Sequence, residues 1–285
     1  MIFSFLKKKK ESAKFNIYDT SFSEASFDYT VKDVQNRKVD AIICRELINK
    51  EECEKIAKIL LEKEKFKKGN KGDIINEPKS IVSAELDHLI TESYKSFVPK
   101  FEKVYEVDLI GKIRDLLKRL NEGKDAKQLI KDNTDLISPA NFRMMPSLFL
   151  HCGNQFNYVF PRNYNFLSTQ VEVHNHLSYF MVIQEPEEGG RITLYDIGWN
   201  EAEESVFRTS TIITLTGEKF DLDKKNSKRG NVKLDLKAGD LLIFAGGEIW
   251  HRVEEVRGNR KRITFGGFLG FGNKSNTKDD LYMWA

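Results

Sequence analysis

The sequence predicts a mainly β protein, a double-stranded β-helix (jelly roll) with a layer of helices on its N-terminal side. Two observations predict it. From about residue 140 onward, short runs of β-branched and aromatic residues alternate with turns rich in glycine, asparagine and aspartate. Before residue 140, apolar residues recur at helical spacing inside charged segments. Many short strands are typical of a sandwich or barrel, and helices gathered at one end of the chain would cover one face of it.

The N-terminal part is predicted to be helical. Residues 1–139 are interpreted as a basic N-terminal segment followed by a helical buttress, in the same domain as a β core over residues 140–285. The predicted helices share an apolar stripe and a charged outer face, and they are Glu51–Lys65, Ser83–Lys103, Ile110–Leu120 and Lys124–Lys131.

The β core is predicted to consist of seven short strands. Turn sequences separate them, such as the Gly-Gly at 189–190 and the Gly-Asp at 239–240. The predicted strands are Pro146–His151, Gln170–Gln184, Arg191–Tyr195, Ser205–Thr216, Val232–Leu236, Leu241–Phe244 and Arg262–Phe271.

Composition excludes several classes of protein. With 285 residues and 40% hydrophobic residues, the chain can bury a substantial core, and it is too apolar to be disordered. The 46 basic and 43 acidic residues nearly balance, so charge does not favour nucleic acid as a partner. No apolar run approaches the roughly 20 residues of a membrane span. Three cysteines make a disulfide framework improbable and favour the cytoplasm.

Four of the five histidines fall in the predicted β region: His151, His174, His176 and His251. A divalent metal site needs imidazole or carboxylate groups that project from rigid strands into one cavity. Residues i and i+2 of a strand lie on one face, which pairs His151 with Gly153 and His174 with His176.

The C-terminal half carries an ordered series of short motifs. Gly189-Gly190 precedes a strand ending in Tyr195-Asp196, and Gly239-Asp240 precedes the apolar run Leu241–Phe244. His251 follows, and Arg262-Ile263-Thr264 begins eleven residues after it. In this order and spacing, residues 140–272 resemble the Fe(II)/2-oxoglutarate-dependent oxygenases.

The resemblance implies Fe(II), 2-oxoglutarate and O₂ as cofactors and cosubstrates, and a small-molecule substrate. Two histidines and a carboxylate would bind one face of the iron, with His251 as one of the histidines. The far carboxylate of 2-oxoglutarate needs a guanidinium and a neighbouring hydroxyl. Arg262 and Thr264, which share a strand face, suit these roles, and Arg260 on the same face is the alternative arginine.

The first iron ligand is assigned by position, because the family's usual His-x-Asp or His-x-Glu does not occur at any of these histidines. His151 leaves room for a loop before Gly189 and lies 100 residues before His251. His174 and His176 fall on what is interpreted as one continuous strand leading into the Gly-Gly turn. The sequence therefore favours His151, with the His174/His176 pair as the alternative.

With His151 as ligand, Gly153 occupies the position of the missing carboxylate. His-x-Gly resembles the halogenases of this superfamily, in which chloride takes the coordination position that the acid leaves open. The resemblance therefore implies halogenation of a free small molecule, with Gly153 at the halide site.

Three other interpretations stay open at this point. The enzyme could be a hydroxylase that uses another carboxylate, such as Glu172. It could bind metal through His174, His176 and His251, as some cupin-type dioxygenases do. It could also be a cupin-like protein that binds a ligand without turnover.

The segment 154–167 is rich in aromatic and amide side chains, and such loops often carry recognition. We predict that Tyr158, Phe160 and Arg162 lie near the substrate. Cys152 alternates with His151 along the strand and is predicted to lie in the core.

Overall fold

The computed structural model describes residues 15–62, 75–77, 105–131, 135–155, 165–202, 211–213, 217, 219–221 and 230–285. In chain order, the first half of its helices and strands are β1 (Ile17–Ser21), α1 (Val31–Gln35), β2 (Ala41–Arg45), α2 (Lys50–Glu62), β3 (Ile75–Glu77), α3 (Leu109–Leu120), β4 (Lys127–Gln128), β5 (Ile130–Lys131), β6 (Asp135–Leu136), β7 (Asn141–Met144) and β8 (Leu148–His151). The remaining elements are β9 (Leu177–Gln184), β10 (Glu188–Gly189), β11 (Ile192–Gly198), β12 (Thr211–Ile213), β13 (Lys219–Asp221), β14 (Asn231–Leu234), β15 (Leu241–Phe244), β16 (Ile249–Val253), β17 (Val256–Arg257), β18 (Ile263–Phe271) and β19 (Leu281–Trp284).

Two sheets form the core. The larger has the order β1-β2-β15-β9-β18-β19-β4, with β7 paired to β18 and β3 paired to β7. The smaller has the order β14-β11-β16-β8. One hydrophobic cluster contains side chains of both sheets, such as Leu242 and Phe244 from the larger and Leu194 and Ile249 from the smaller. This two-sheet arrangement confirms the predicted jelly-roll class.

Two amphipathic helices cover the larger sheet region, as their sequence pattern predicts. Helix α2 buries Cys53, Ile56 and Leu60, and it packs on β9. Asp108 precedes helix α3 as its N-cap, and its side chain accepts a hydrogen bond from the Gly111 backbone N–H, so an otherwise unsatisfied donor at the helix start is capped. None of the helices within the described residues is long and apolar enough to cross a membrane.

The predicted helix over Lys124–Lys131 is wrong. This segment forms β4, which pairs in parallel with β19, and β5, which pairs with β6. Gly123, with a φ of +81°, ends the helical region before it. Backbone pairing with a distant strand therefore overrides a weak local helical pattern.

The N-terminal part also supplies strands that the sequence pattern did not predict. Strand β2 lies inside the larger sheet, between β1 and β15. Its residues 41–44 are buried. The predicted helix Ser83–Lys103 lies outside the described residues.

The predicted continuous strand over Gln170–Gln184 starts later, at Leu177. Val171 forms an isolated bridge with Gly272, and residues 174–175 form an exposed turn. The backbone N–H of Gly247 donates to the His176 carbonyl and so fixes the end of this turn. The delayed start removes His174 and His176 from the sheet.

Candidate active site

His151 and His251 face each other across two neighbouring strands of the smaller sheet. They are register partners in the antiparallel pair of β8 and β16. Their ring centroids lie 4.1 Å apart, and both side chains are buried. Directly opposed residues of an antiparallel pair project to the same face. The predicted convergence of these two imidazoles is thus present in the structure.

Both imidazoles are held in the same tautomer. His151 Nδ1 lies 2.9 Å from the Phe149 carbonyl oxygen, and His251 Nδ1 lies 2.7 Å from the Ile249 carbonyl oxygen. A carbonyl can only accept, so each Nδ1 carries the proton and each Nε2 is the basic nitrogen. Orientation by a carbonyl at the second nitrogen is the usual arrangement for metal-binding histidines.

Burial keeps these rings neutral. Burial lowers the pKa of His151 to about 4. The pKa of His251 is held well below its usual value, mainly by burial and secondly by the neighbouring His151. Burial also lowers the pKa of His176 to about 4. Neutral imidazole is the form that binds a metal.

We expect the metal-free protein to lose stability as the pH falls from 7 to 5. In the folded chain the pKa values of His151 and His176 are about 4, against an ordinary value of 6.5. Between pH 6.5 and pH 4, these two histidines therefore bind protons in the unfolded chain but not in the folded chain. The loss is about 2 kcal/mol per imidazole by pH 5, most of it below pH 6.5. Denaturant unfolding at pH 7, 6 and 5 measures it, and a free energy of unfolding that stays constant over this range would contradict the expectation.

Among the described residues, no acidic side chain joins the two imidazoles. Within the described part of the chain, no group of three or more histidine, cysteine, aspartate or glutamate side chains is placed to hold a metal ion. Gly153 follows His151 by two residues and lines the same cavity. Of the usual two-histidine, one-carboxylate set, the described residues therefore bring together the two histidines.

A cavity of about 160 Å³ lies between the two sheets, with the imidazole pair in its wall. Arg262 and Thr264 line it from the larger sheet, and both are buried. The Arg262 guanidinium lies 5.1 Å from the centre of the Phe180 ring. Burial lowers the pKa of Arg262 to about 10, which leaves it charged at neutral pH.

Arg143 is a second arginine in this cavity, and sequence reasoning did not find it. It is the register partner of Thr264, so its side chain projects from β7 to the same face. Its Nε donates to Asn141 Oδ1 at 2.8 Å, and its guanidinium lies 5.3 Å from the centre of the Phe268 ring. Burial lowers its pKa to about 10. Among the described residues, no carboxylate forms an ion pair with Arg143 or Arg262.

The other predicted site residues lie elsewhere. His174 is exposed in the turn before β9, where its backbone N–H donates to Glu172 Oε1. The three-histidine set with His176 and His251 is therefore not assembled, and Glu172 joins no metal-binding group. The delayed start of β9 is the physical reason, because the two histidines do not alternate along a strand.

Arg260 is exposed and donates to the Pro186 carbonyl oxygen at 3.2 Å. It lines a polar cleft of about 480 Å³ that shares Arg262 and Ile192 with the imidazole cavity, and Arg260 does not line that cavity itself. Cys152 is buried, and its side chain lies in an apolar cluster on the other face of the smaller sheet. Tyr158, Phe160 and Arg162 lie outside the described residues.

Comparison with known proteins identifies the family. Residues 19–285 match the family model described as carrier-protein-independent halogenase WelO5. The chain belongs to the WelO5 family. The protein is therefore an Fe(II)/2-oxoglutarate-dependent oxidative enzyme with a small-molecule substrate, and its family reaction is halogenation. The predicted superfamily, the halogenase-like variant and the cofactors are confirmed.

Solved structures show which fold this WelO5-family chain shares. It is similar to an N-substituted L-amino acid dioxygenase from Burkholderia ambifaria AMMD, with 15% identity over 90% of each chain and a TM-score of 0.50. It is also similar to the non-heme α-ketoglutarate-dependent epimerase SnoN from nogalamycin biosynthesis, with 10% identity over 84% of this chain and 85% of that chain and a TM-score of 0.42. The first of these likenesses shows the common fold. No curated protein sequence matches the chain.

The residues of the cavity fit the cofactors of the WelO5 family. Two neutral imidazoles present their basic nitrogens for a divalent metal. The buried Arg262 and the partly buried Arg143 carry positive charge without an acidic partner among the described residues. The first feature suits Fe(II), and the second suits an anion such as a dicarboxylate.

Proposed function

We propose that His151 and His251 hold Fe(II) through their Nε2 atoms and that a halide binds on the side of Gly153. The observation that supports this most is the imidazole pair, oriented by two backbone carbonyls, in a cavity to which the described residues bring no third ligand side chain. A halide supplies the negative charge that an aspartate would otherwise contribute. Chloride is consistent with membership of a halogenase family.

The cosubstrate is proposed to bind through the larger sheet. Arg262 presents a guanidinium fork, and Thr264 presents a hydroxyl two residues further along the same face. A fork and a hydroxyl together match the donors that a terminal carboxylate needs. Because both groups are buried, the ion pair would form away from water, where charge-assisted hydrogen bonds are strong.

The substrate is proposed to be a free small molecule with an unactivated C–H bond. When bound, iron with O₂ and 2-oxoglutarate supplies the oxidising power that removes a hydrogen atom from such a bond. Apolar side chains, including Leu148, Phe180 and Phe244, line the cavity and exclude water from it. Tyr158, Phe160 and Arg162 stay predicted substrate contacts.

The product tests the proposed reaction. Purified enzyme with Fe(II), 2-oxoglutarate, O₂ and a panel of small molecules is incubated with chloride, with bromide, or without halide. We expect the product mass to change with the halide supplied. A hydroxylated product whose mass does not change under saturating chloride or bromide would remove the halogenase assignment and favour the hydroxylase.

Arg143 is proposed to neutralise anionic charge beside the imidazole pair. It shares a sheet face with Thr264 and lies close enough to lower the pKa values of both His151 and Arg262. An isolated buried charge is costly unless an opposite charge binds to it.

We therefore expect Arg143→Met to weaken 2-oxoglutarate binding about 10–100-fold, because this is the change in affinity that corresponds to the free energy of a hydrogen bond to a charged group. Anaerobic calorimetric titration of the Fe(II)-loaded protein measures the dissociation constant. Arg114→Met, which removes an arginine that bonds Gln128 away from the cavity, is the control. Equal dissociation constants for Arg143→Met and the parent would contradict the role.

A reducing compartment, the cytoplasm, is proposed as the location. All three cysteines, Cys44, Cys53 and Cys152, are buried as free thiols. Burial raises the pKa of Cys44 and of Cys53 to about 12, which keeps both thiols protonated and unreactive. Free thiols without disulfides are typical of reducing compartments.

A further inference from the structure

The position that a Cβ atom of residue 153 would occupy is already filled. A Cβ atom added at Gly153 would lie 2.4 Å from His176 Nε2, 2.7 Å from His176 Cε1 and 2.8 Å from the Gly246 carbonyl oxygen. All three distances are shorter than non-bonded contacts allow. Gly153 is not among the described glycines with positive φ. The lack of a side chain is therefore required by the neighbours and not by the backbone conformation.

Neither neighbour is free to move away. His176 is buried, and its Nδ1 donates to the Val173 carbonyl oxygen at 2.7 Å. The ring lies edge-on to Phe268, with centroids 5.5 Å apart. On the other side, the Gly246 carbonyl oxygen accepts a 2.8 Å hydrogen bond from the Gly153 backbone N–H. A rotation of His176 would thus break a buried hydrogen bond and disturb packed aromatic rings.

We propose that His176 is a specificity-determining residue that closes position 153 to an acidic side chain. Its imidazole occupies the volume that the Cβ of an aspartate or glutamate at 153 needs, so the carboxylate ligand of a hydroxylase cannot be installed there. The proposal rests on the proposed halide site at Gly153. It gives His176 a role other than the iron ligation considered from the sequence, and it agrees with the absence of His176 from the cavity wall.

This role predicts that Gly153→Asp alone does not build a working carboxylate ligand. The new Cβ meets His176 before the carboxylate can reach the metal position. A smaller residue at 176 removes two of the three short contacts and leaves only the one with the Gly246 carbonyl oxygen. Conversion toward a carboxylate ligand therefore requires both changes.

A double-mutant cycle on stability tests the contact without any bound group. We expect Gly153→Ala to lower the Tm of the parent by about 3–8 °C, the usual effect of overpacking a tight site. In the His176→Ala background the same change should lower the Tm by less than half as much. In the His176→Phe background, where a ring still fills the space, Gly153→Ala should cost as much as in the parent. Equal Tm shifts in all three backgrounds would overturn the proposal.

Anaerobic Fe(II) titration in chloride-free buffer gives a second measurement. We expect Gly153→Asp with His176→Ala to bind Fe(II) at least about tenfold more tightly than His176→Ala alone, because a carboxylate is added to the ligand set. Gly153→Asp with His176 intact should show no such gain, and an equal gain there would overturn the proposal. A parent product that does not depend on halide would instead overturn the proposed function, and the stability cycle would be unchanged by that result.

Discussion

His151→Ala is expected to abolish turnover and Fe(II) binding. The variant removes one of two imidazoles whose centroids lie 4.1 Å apart and whose Nδ1 atoms are both fixed by carbonyls. One histidine without an acidic partner cannot hold a divalent ion against water. The loss of Fe(II) affinity should exceed the roughly 10–100-fold that outer-sphere partners cost. Anaerobic Fe(II) with 2-oxoglutarate should then give no visible charge-transfer band.

His174→Ala is the matched control for this experiment. It removes the same side chain from the exposed turn before β9, outside the cavity. The charge-transfer band and turnover of this variant should equal those of the parent. A normal band in His151→Ala, or loss of the band in His174→Ala, would contradict the assignment of the metal ligands.

Arg262→Met is expected to raise the dissociation constant for 2-oxoglutarate about 100-fold or more. Methionine keeps much of the apolar volume beside Phe180 but leaves a buried carboxylate of the cosubstrate without its cation. Loss of one partner from a buried charge pair costs about 2–5 kcal/mol in binding. Fe(II) affinity should change little, because Arg262 is not a ligand, so anaerobic titration of each component separates the two steps.

Arg260→Met and Arg262→Lys complete this comparison. Arg260 is exposed and lies outside the imidazole cavity, so its removal should leave 2-oxoglutarate binding unchanged. Lysine keeps the charge at 262 but not the planar fork, and it should restore only part of the affinity. A larger effect at 260 than at 262 would mean that the other arginine binds the cosubstrate.

Local sequence pattern predicted the elements with a strong local signal. Helices α2 and α3 were predictable because their buried residues recur at helical spacing, and the strand at 241–244 because it is a short, wholly apolar run after the Gly239-Asp240 turn. The same pattern gave the wrong structure for Lys124–Lys131, where pairing of β4 with β19 decides the conformation. It also missed β2, whose burial depends on partners about 200 residues away.

The residues of the candidate site were likewise predictable where local pattern determines their position, and not where distant strand pairing does. Spacing along one strand linked Arg262 with Thr264, because alternation is a local property. The choice between His151 and His174 depended on which strand lies beside β16, which is a property of the whole sheet. Arg143 gave no local signal, since its place in the cavity wall follows only from the pairing of β7 with β18. The contact between Gly153 and His176 likewise joins segments that no repeat connects.

The position of β2 bears on attempts to shorten the enzyme. A chain that began at residue 140 would keep every imidazole and arginine of the cavity but would lose the neighbour on one side of β15. Leu241–Phe244, all buried in the intact protein, would then form an exposed edge strand. Its backbone donors and acceptors would face solvent on that side. Such a fragment should self-associate instead of serving as a minimal catalyst, so engineering of this enzyme has to retain strand β2.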